Sequence, residues 1–184
     1  MWNVTTLDGY FEGDQKWDLS FHQLIWGPDL EELSIQQLRS ADYLVFGRLT
    51  YEGMAAYWKN APDEHSEIAK LMNSIPKLIF SRTLKQVDWN NSTLVKGNAV
   101  EQISRLKEQK GHEMYVFGSA DLSRTFIEKD LFDEYRIGIA PIILGSGTPL
   151  FKQGVPTIGL THIDTQPLFK GGVVLRFSKN KIAS

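Results

Sequence analysis

Leu44-Val45-Phe46-Gly47-Arg48-Leu49-Thr50-Tyr51-Glu52 decides how the rest of this chain is read. Apolar residues run into a glycine, an arginine and a threonine able to cap the helix predicted over about 51–58. A buried strand that ends this way brings backbone N–H groups, a helix N-terminus and a guanidinium to one point. That combination favours an anion, most simply a phosphate. Gly and Arg also punctuate ordinary tight turns, so the stretch alone does not separate the two readings. Its weight comes from recurrence. A predicted strand at 77–80 runs into Ser81-Arg82, and another at 113–117 runs into Gly118-Ser119-Ala120-Asp121.

Working outward, the chain alternates strands and helices for its first two thirds. A short strand over 1–6 ends at the turn signal Asp8-Gly9. A long aromatic connection follows, holding Trp17, Phe21, His22 and Trp26; it reads either as a cover over a pocket or as padded core. Helices are predicted over 29–41, 51–58, 68–75 and 98–110, and again from 121, with strands over 43–47, 77–80, 92–96 and 113–117 between them. Such alternation argues for a parallel sheet with helices packed on it. The last third changes character. Tyr135, Ile137 and Ile139 alternate, and segments near 157–166 and 172–178 finish as strands with no helix between them, which predicts antiparallel pairing. The expected fold class is α/β with a mixed, mainly parallel sheet.

Composition narrows the chemistry. The chain has 184 residues, 42% hydrophobic and 23% charged, with no composition shift that marks a boundary, and reads as one domain over 1–184. There are no cysteines, which excludes disulfides, thiolate metal sites and cysteine nucleophiles. A net charge of −2 gives no support for nucleic acid as a partner. No apolar run is long enough to span a membrane, and no secretory signal is visible, so the cytoplasm is expected. His22, His65, His112 and His162 are scattered without metal-ligand spacing and are expected on loops or surface; no metal is expected. Asp63-Glu64-His65 reads as a solvated helix start.

Ligands of open α/β sheets bind outside the carboxyl ends of the strands. The three strand ends therefore form one candidate site: Gly47, Arg48 and Thr50; Ser81 and Arg82; Gly118, Ser119 and Ala120. Glycines allow close backbone approach, hydroxyls and N–H groups take phosphate oxygens, and two arginines neutralise charge. The set suits a dinucleotide, and the paired arginines favour the extra phosphate of NADPH over NADH. Neither a Gly-x-Gly-x-x-Gly fingerprint nor a Walker pattern is present. Three unrelated tight turns remain the plain alternative.

Several segments together resemble the dihydrofolate reductase superfamily. They are Thr6-Leu7-Asp8-Gly9-Tyr10; Asp42 through Glu52; Phe80-Ser81-Arg82-Thr83-Leu84; Phe117-Gly118-Ser119-Ala120; and Ile139 through Phe151, with its Gly-Ser-Gly-Thr-Pro. The branch they are most similar to is the C-terminal reductase domain of the bifunctional riboflavin-biosynthesis deaminase/reductase. The resemblance spans nearly the whole chain in order. It implies a three-layer α/β/α fold, NADPH as hydride donor, a small-molecule substrate and often a homodimer. Gly47, Arg48 and Thr50 match the motif that meets the phosphates, and Ser81 and Arg82 the place of the adenosine 2′-phosphate. Gly118, Ser119, Ala120 and Leu122 match the loop over the pyrophosphate, while Asp8 and Phe11 would border the nicotinamide. The proton source is expected among Asp29, Glu31 and Asp8, with Asp29 favoured narrowly. A planar heterocycle such as a pterin or pyrimidine would lie against Trp17, Phe21, Trp26 and Phe151, between residues 12–28 and 141–151. The metal motifs of the deaminase are absent. The resemblance thus implies an NADPH-dependent reductase acting on such a heterocycle or on a small carbonyl or imine; the alternative is a protein of this fold that binds NADPH without turnover.

Overall fold

The computed structural model describes residues 1–61, 66–109, 111 and 113–180; Asp63-Glu64-His65 and His112 lie outside them. In chain order the elements are β1 (Trp2–Thr6), β2 (Tyr10–Glu12), a 3-10 turn (Ser20–Leu24), α1 (Pro28–Ser40), β3 (Tyr43–Gly47), α2 (Arg48–Trp58), α3 (Ser66–Ser74) and β4 (Lys77–Phe80). There follow β5 (Ser92–Val95), α4 (Ala99–Lys107), β6 (Met114–Val116), α5 (Ala120–Glu128), β7 (Glu134–Ala140), β8 (Thr148–Pro149), β9 (Leu160–Pro167) and β10 (Val173–Lys179). The chain forms two compact units, one of Met1–Glu31 with Ser123–Ser184 and one of Glu32–Leu122.

The unit Glu32–Leu122 carries a four-stranded sheet in the order β5-β4-β3-β6, every ladder parallel. The inner strands carry short apolar runs, Leu44-Val45-Phe46 in β3 and Leu78-Ile79-Phe80 in β4, as strands covered on both faces must. Leu44, Val45, Phe46 and Ile79 are fully buried. Helix α4 follows the predicted pattern: Ile103 and Leu106 face inward, and Asn98 caps its start by accepting from Val100 N–H at 3.1 Å. Helix α2 departs from expectation. It begins at Arg48, so Thr50 lies inside its first turn rather than capping it, and Gly47 is the cap residue with no side-chain bond. An extended ψ of 169° at Gly47 lets the helix start directly off the strand.

The other unit holds the order β1-β7-β10-β9. β1 pairs with β7 in parallel, while β7, β10 and β9 pair antiparallel as the change of pattern predicted. The short β2–β8 ladder was not foreseen, because two residues of strand leave no periodicity. Among the described residues the strands thus divide into two four-stranded sheets and the β2–β8 pair, with four parallel ladders against three antiparallel ones. Across β7, β10 and β9 the residues Arg136, Arg176 and Asp164 lie in register. Glu134 accepts from Arg136 and from Arg176 Nε at 2.8 Å, and Arg176 Nη1 reaches Asp164 at 2.8 Å. Burial alone would raise the Glu134 pKa, but these guanidiniums outweigh it and hold the carboxyl at about 2.

Lys77 opens β4 as a buried cation. Its Nζ donates to the carbonyls of Asn73 (3.3 Å), Ile75 (2.7 Å) and Asn90 (3.1 Å), and it lies 4.5 Å from the Trp89 ring centroid. The ammonium thus satisfies carbonyls at the end of α3 and ties down the long connection before β5. Burial pushes its pKa down to about 8. Between that value and the ordinary lysine value of 10.5 the unfolded chain holds a proton that the folded one has released, so stability rises with pH there. Urea denaturation of wild type and Lys77→Met on both sides of this window checks it. Wild type gains stability relative to the variant as pH rises, and a constant difference would show that Nζ stays protonated.

Candidate active site

Gly47, Phe80 and Val95 are in register, so the parallel strands of the unit Glu32–Leu122 end at one level. Arg48, Ser81-Arg82 and Lys96 therefore leave the sheet along the same edge. β6 ends beside β3, and its exit turns sharply: Gly118 and Ser119 have φ of +53° and +58°. For serine this left-handed conformation is unfavourable, and its side chain shows what it achieves. Ser119 Oγ accepts from Gly47 N–H at 2.9 Å and donates to Thr50 Oγ1 at 2.7 Å. A Cβ at Gly47 would stand 3.3 Å from that Oγ, so only glycine fits without displacing it. The bond joins the starts of two helices, since α2 begins at Arg48 and α5 at Ala120. The first N–H groups of a helix have no intrahelical acceptor, and each N-terminus carries partial positive charge. Two such ends side by side form a place for a bridging anion such as a pyrophosphate.

The predicted cofactor residues of this unit divide by what they already hold. Gly47 N–H and the Ser119 hydroxyl proton are spent on building the cradle, whereas Thr50 Oγ1 accepts there and keeps its own proton to donate. Arg48 pairs along its own helix with Glu52 at 3.1 Å, and both side chains are exposed. Ser81 Oγ accepts from Thr83 N–H (3.2 Å) and Leu84 N–H (3.0 Å), shaping the turn that displays Arg82. Arg82 is exposed and makes no ion pair with the described residues; the same is true of Lys96. Lys96 was missed because the sequence placed it inside a strand; a basic residue directly after a parallel strand was the available signal. Ala120 is buried and Leu122 half-buried.

In the unit Met1–Glu31 with Ser123–Ser184, the acidic candidates differ in the same way. Asp8 accepts from Thr6 Oγ1 (2.6 Å), Gly145 N–H (2.7 Å) and Leu144 N–H (3.2 Å). The Thr6 hydroxyl is the largest influence, and together with those N–H groups it holds the carboxyl below the usual range against the opposing effect of burial. Asp29 accepts from Leu30 N–H at 3.0 Å and from Phe169 N–H at 2.5 Å, binding the start of α1 to the β9–β10 turn. Glu31 is half-buried, and no hydrogen bond or ion pair engages its carboxylate among the described residues. Glu31 thus carries an unengaged carboxylate, whereas the carboxylate of Asp29 is engaged by two backbone N–H groups.

The aromatic candidates separate too. Phe21 is 3% exposed and meets the His22 ring edge-on at 4.9 Å, so it belongs to the core rather than to a ligand wall. Trp17, Trp26 and Phe11 are half-buried, and Phe151 is 47% exposed. His22 lies in the 3-10 turn of the connection, as a loop residue was expected to, but it is half-buried rather than at the surface. Its Nε2 is shut away from solvent with no hydrogen-bond partner among the described residues, and burial pushes its pKa down to about 4. Among the described residues no group of His, Asp or Glu is arranged to hold a metal, and no helix is long and apolar enough to cross a membrane.

Ser119→Ala removes the acceptor of Gly47 N–H and the donor to Thr50 together, and is expected to lower stability by about 1–3 kcal/mol in urea denaturation. Ser119→Gly relieves the left-handed backbone yet loses the same bonds. It should therefore lose less than the alanine variant, and equal losses would show that the φ costs nothing.

Comparison with known proteins agrees with this architecture. The uncharacterized protein YyaP of Bacillus subtilis strain 168 is 34% identical over 173 residues, covering 93% of this chain and 88% of that protein. A crystal structure from Shewanella sp. PV-4, provisionally named for riboflavin biosynthesis, superposes with a TM-score of 0.79 at 24% identity, over 98% of this chain and 97% of the other. Enterococcus faecalis dihydrofolate reductase, solved in complex with NADP(H) and RAB-propyl, gives a TM-score of 0.63 at 14% identity, over 98% and 95% of the two chains. The fold is thus dihydrofolate reductase-like. Residues 1–173 match the RibD C-terminal domain family, and the chain belongs to it.

Proposed function

We propose that this protein is an NADPH-dependent reductase of a planar heterocycle or small carbonyl or imine, of the kind a riboflavin-pathway pyrimidine or a dihydropterin represents. The observation that carries the reading is the Ser119–Gly47–Thr50 junction, which sets two helix N-termini side by side at the carboxyl edge of a parallel sheet. The surrounding residues fit the cofactor. The junction offers first-turn N–H groups to a pyrophosphate, and the unpaired Arg82 and Lys96 suit a 2′-phosphate. Arg48 would exchange Glu52 for phosphate, a modest cost for an exposed pair. Bound there, NADPH supplies the hydride.

The protein's own part is to bind, orient and protonate. Glu31, half-buried and without a side-chain partner among the described residues, is the carboxylate left available to hold a proton for the acceptor, directly or through water. Asp8 and Asp29 act in this reading as supports: one fastens the β1–β2 turn to residues 144–145, the other fastens α1 to the β9–β10 turn. Phe11 would lie against the nicotinamide, and Trp17, Trp26 and Phe151 would supply flat apolar surface to the substrate. A homodimer is part of the proposal. β9 is an edge strand with Leu160 and Ile163 both exposed, which supports pairing with a second copy. The cytoplasm, where reduced nicotinamide cofactor is available, is the proposed compartment. Binding without turnover is the second reading, favoured by the engagement of Asp8 and Asp29.

Fluorescence titration with NADPH and NADH tests the cofactor half: NADPH should bind at least about tenfold tighter, and Arg82→Ala should erase most of that preference. Equal affinities in wild type would remove the 2′-phosphate assignment. Loss of reduced-nicotinamide absorbance on adding dihydrofolate or aminopyrimidine substrates tests turnover. Glu31→Gln is expected to cut turnover by about a hundredfold with NADPH affinity retained, whereas Asp29→Asn should chiefly lower stability. A protein that binds NADPH tightly but oxidises it with none of these acceptors is the binder.

A further inference from the structure

Trp17 carries the largest side chain in the repertoire at a φ of +66°, a left-handed conformation that bulky residues rarely adopt. A turn needing only that backbone would be served by Gly or Asn without strain. An indole there means that the side chain's own placement is what the turn provides. Such outliers persist only where the surroundings over-determine them, and here the determinant is Glu12. Its Oε1 accepts Trp17 N–H at 2.6 Å, and its Oε2 accepts the Thr148 hydroxyl at 3.1 Å. Glu12 sits opposite Thr148 in the β2–β8 ladder. Beyond it Gly147 passes so close that a Cβ would lie 2.4 Å from the Glu12 carbonyl oxygen. Asp14 adds a bond from Ser146 Oγ at 2.7 Å. The carboxylate is half-buried and committed to both partners, so it is built into the turn rather than offered to a ligand. The indole itself is only half-buried and keeps surface open.

We infer that Glu12 is a positioning residue for substrate: by holding Trp17 N–H and the Thr148 hydroxyl together, it fixes the Trp17 indole as a flat wall against which a planar heterocycle stacks. Glu12 touches neither substrate nor cofactor in this arrangement. The inference rests on the reductase reading for the substrate class, but not for the Glu12–Trp17 coupling. It also separates Glu12 from Glu31, since one shapes the binding surface and the other carries a proton.

The test uses the whole chain labelled with 5-fluorotryptophan, Trp17 assigned through Trp17→Phe, and folic acid as the planar probe. In Glu12→Ala the Trp17 fluorine resonance should move or broaden and folate should bind about tenfold more weakly, while NADPH affinity stays within about twofold. In a Trp17→Ala background, Glu12→Ala should change folate affinity little further, because its effect passes through the indole. Glu12→Gln keeps an acceptor and should recover much of the binding. An unmoved Trp17 resonance, unchanged folate affinity, additive effects in the double variant, or a wild type that binds no folate would each overturn the inference. Failure of the reductase reading registers separately, as absent NADPH binding or oxidation in wild type.

Discussion

The hydrogen bond from Gly47 N–H to Ser119 Oγ is the contact on which the rest of the proposed site depends. Parallel strands deliver their carboxyl ends to one level, but the helices that follow would repel at their like-charged N-termini. One hydroxyl relieves this by accepting from the first strand end and donating to Thr50 in the first turn of α2. The geometry explains three residue choices at once. A Cβ at Gly47 would press on the Ser119 hydroxyl, Ser119 bears that hydroxyl even at a left-handed φ, and Thr50 accepts from inside the helix. The strain and the close approach are local costs that place donors at a single point.

Acidic side chains do the corresponding work in the other unit. Asp8, Glu12, Asp14 and Asp29 each accept hydrogen bonds from a segment distant in sequence: residues 144–145, Thr148, Ser146 and Phe169. Because these acceptors are engaged, they serve as fasteners, and the unengaged Glu31 stands apart from them chemically. The buried cation Lys77 has an equivalent duty in the unit Glu32–Leu122, where carbonyls at the end of α3 and beyond β4 would otherwise lack donors. These charged groups thus pin loops to frameworks.

The sequence and the structure part company at particular places, each for a physical reason. The apolar runs of β3 and β4, the amphipathic face of α4 and the shift to antiparallel strands near the end were all legible, because they depend on local periodicity. The β2–β8 ladder was not, since strands of two and three residues carry no period. Thr50 read as a cap because its type suits one, yet the cap position went to Gly47 once Ser119 arrived from 72 residues away. Phe21 and Trp17 look alike in a string of aromatics; only packing makes the first core and leaves the second partly open. Lys96 was hidden by its place at the end of a strand and gained meaning from register with Gly47 and Phe80.

By itself the sequence determined the fold class, the parallel strand order's existence and the three strand ends that suit a dinucleotide, because glycine, hydroxyl and cation after an apolar run are local statements. It also determined the family, through motifs spread in order along the chain. Only the tertiary structure decided which of those groups are free. Whether a carboxylate is an acid or a fastener, or an arginine a ligand for phosphate or a partner for Glu52, depends on what a distant segment brings within about 3 Å, and no local pattern encodes that distance.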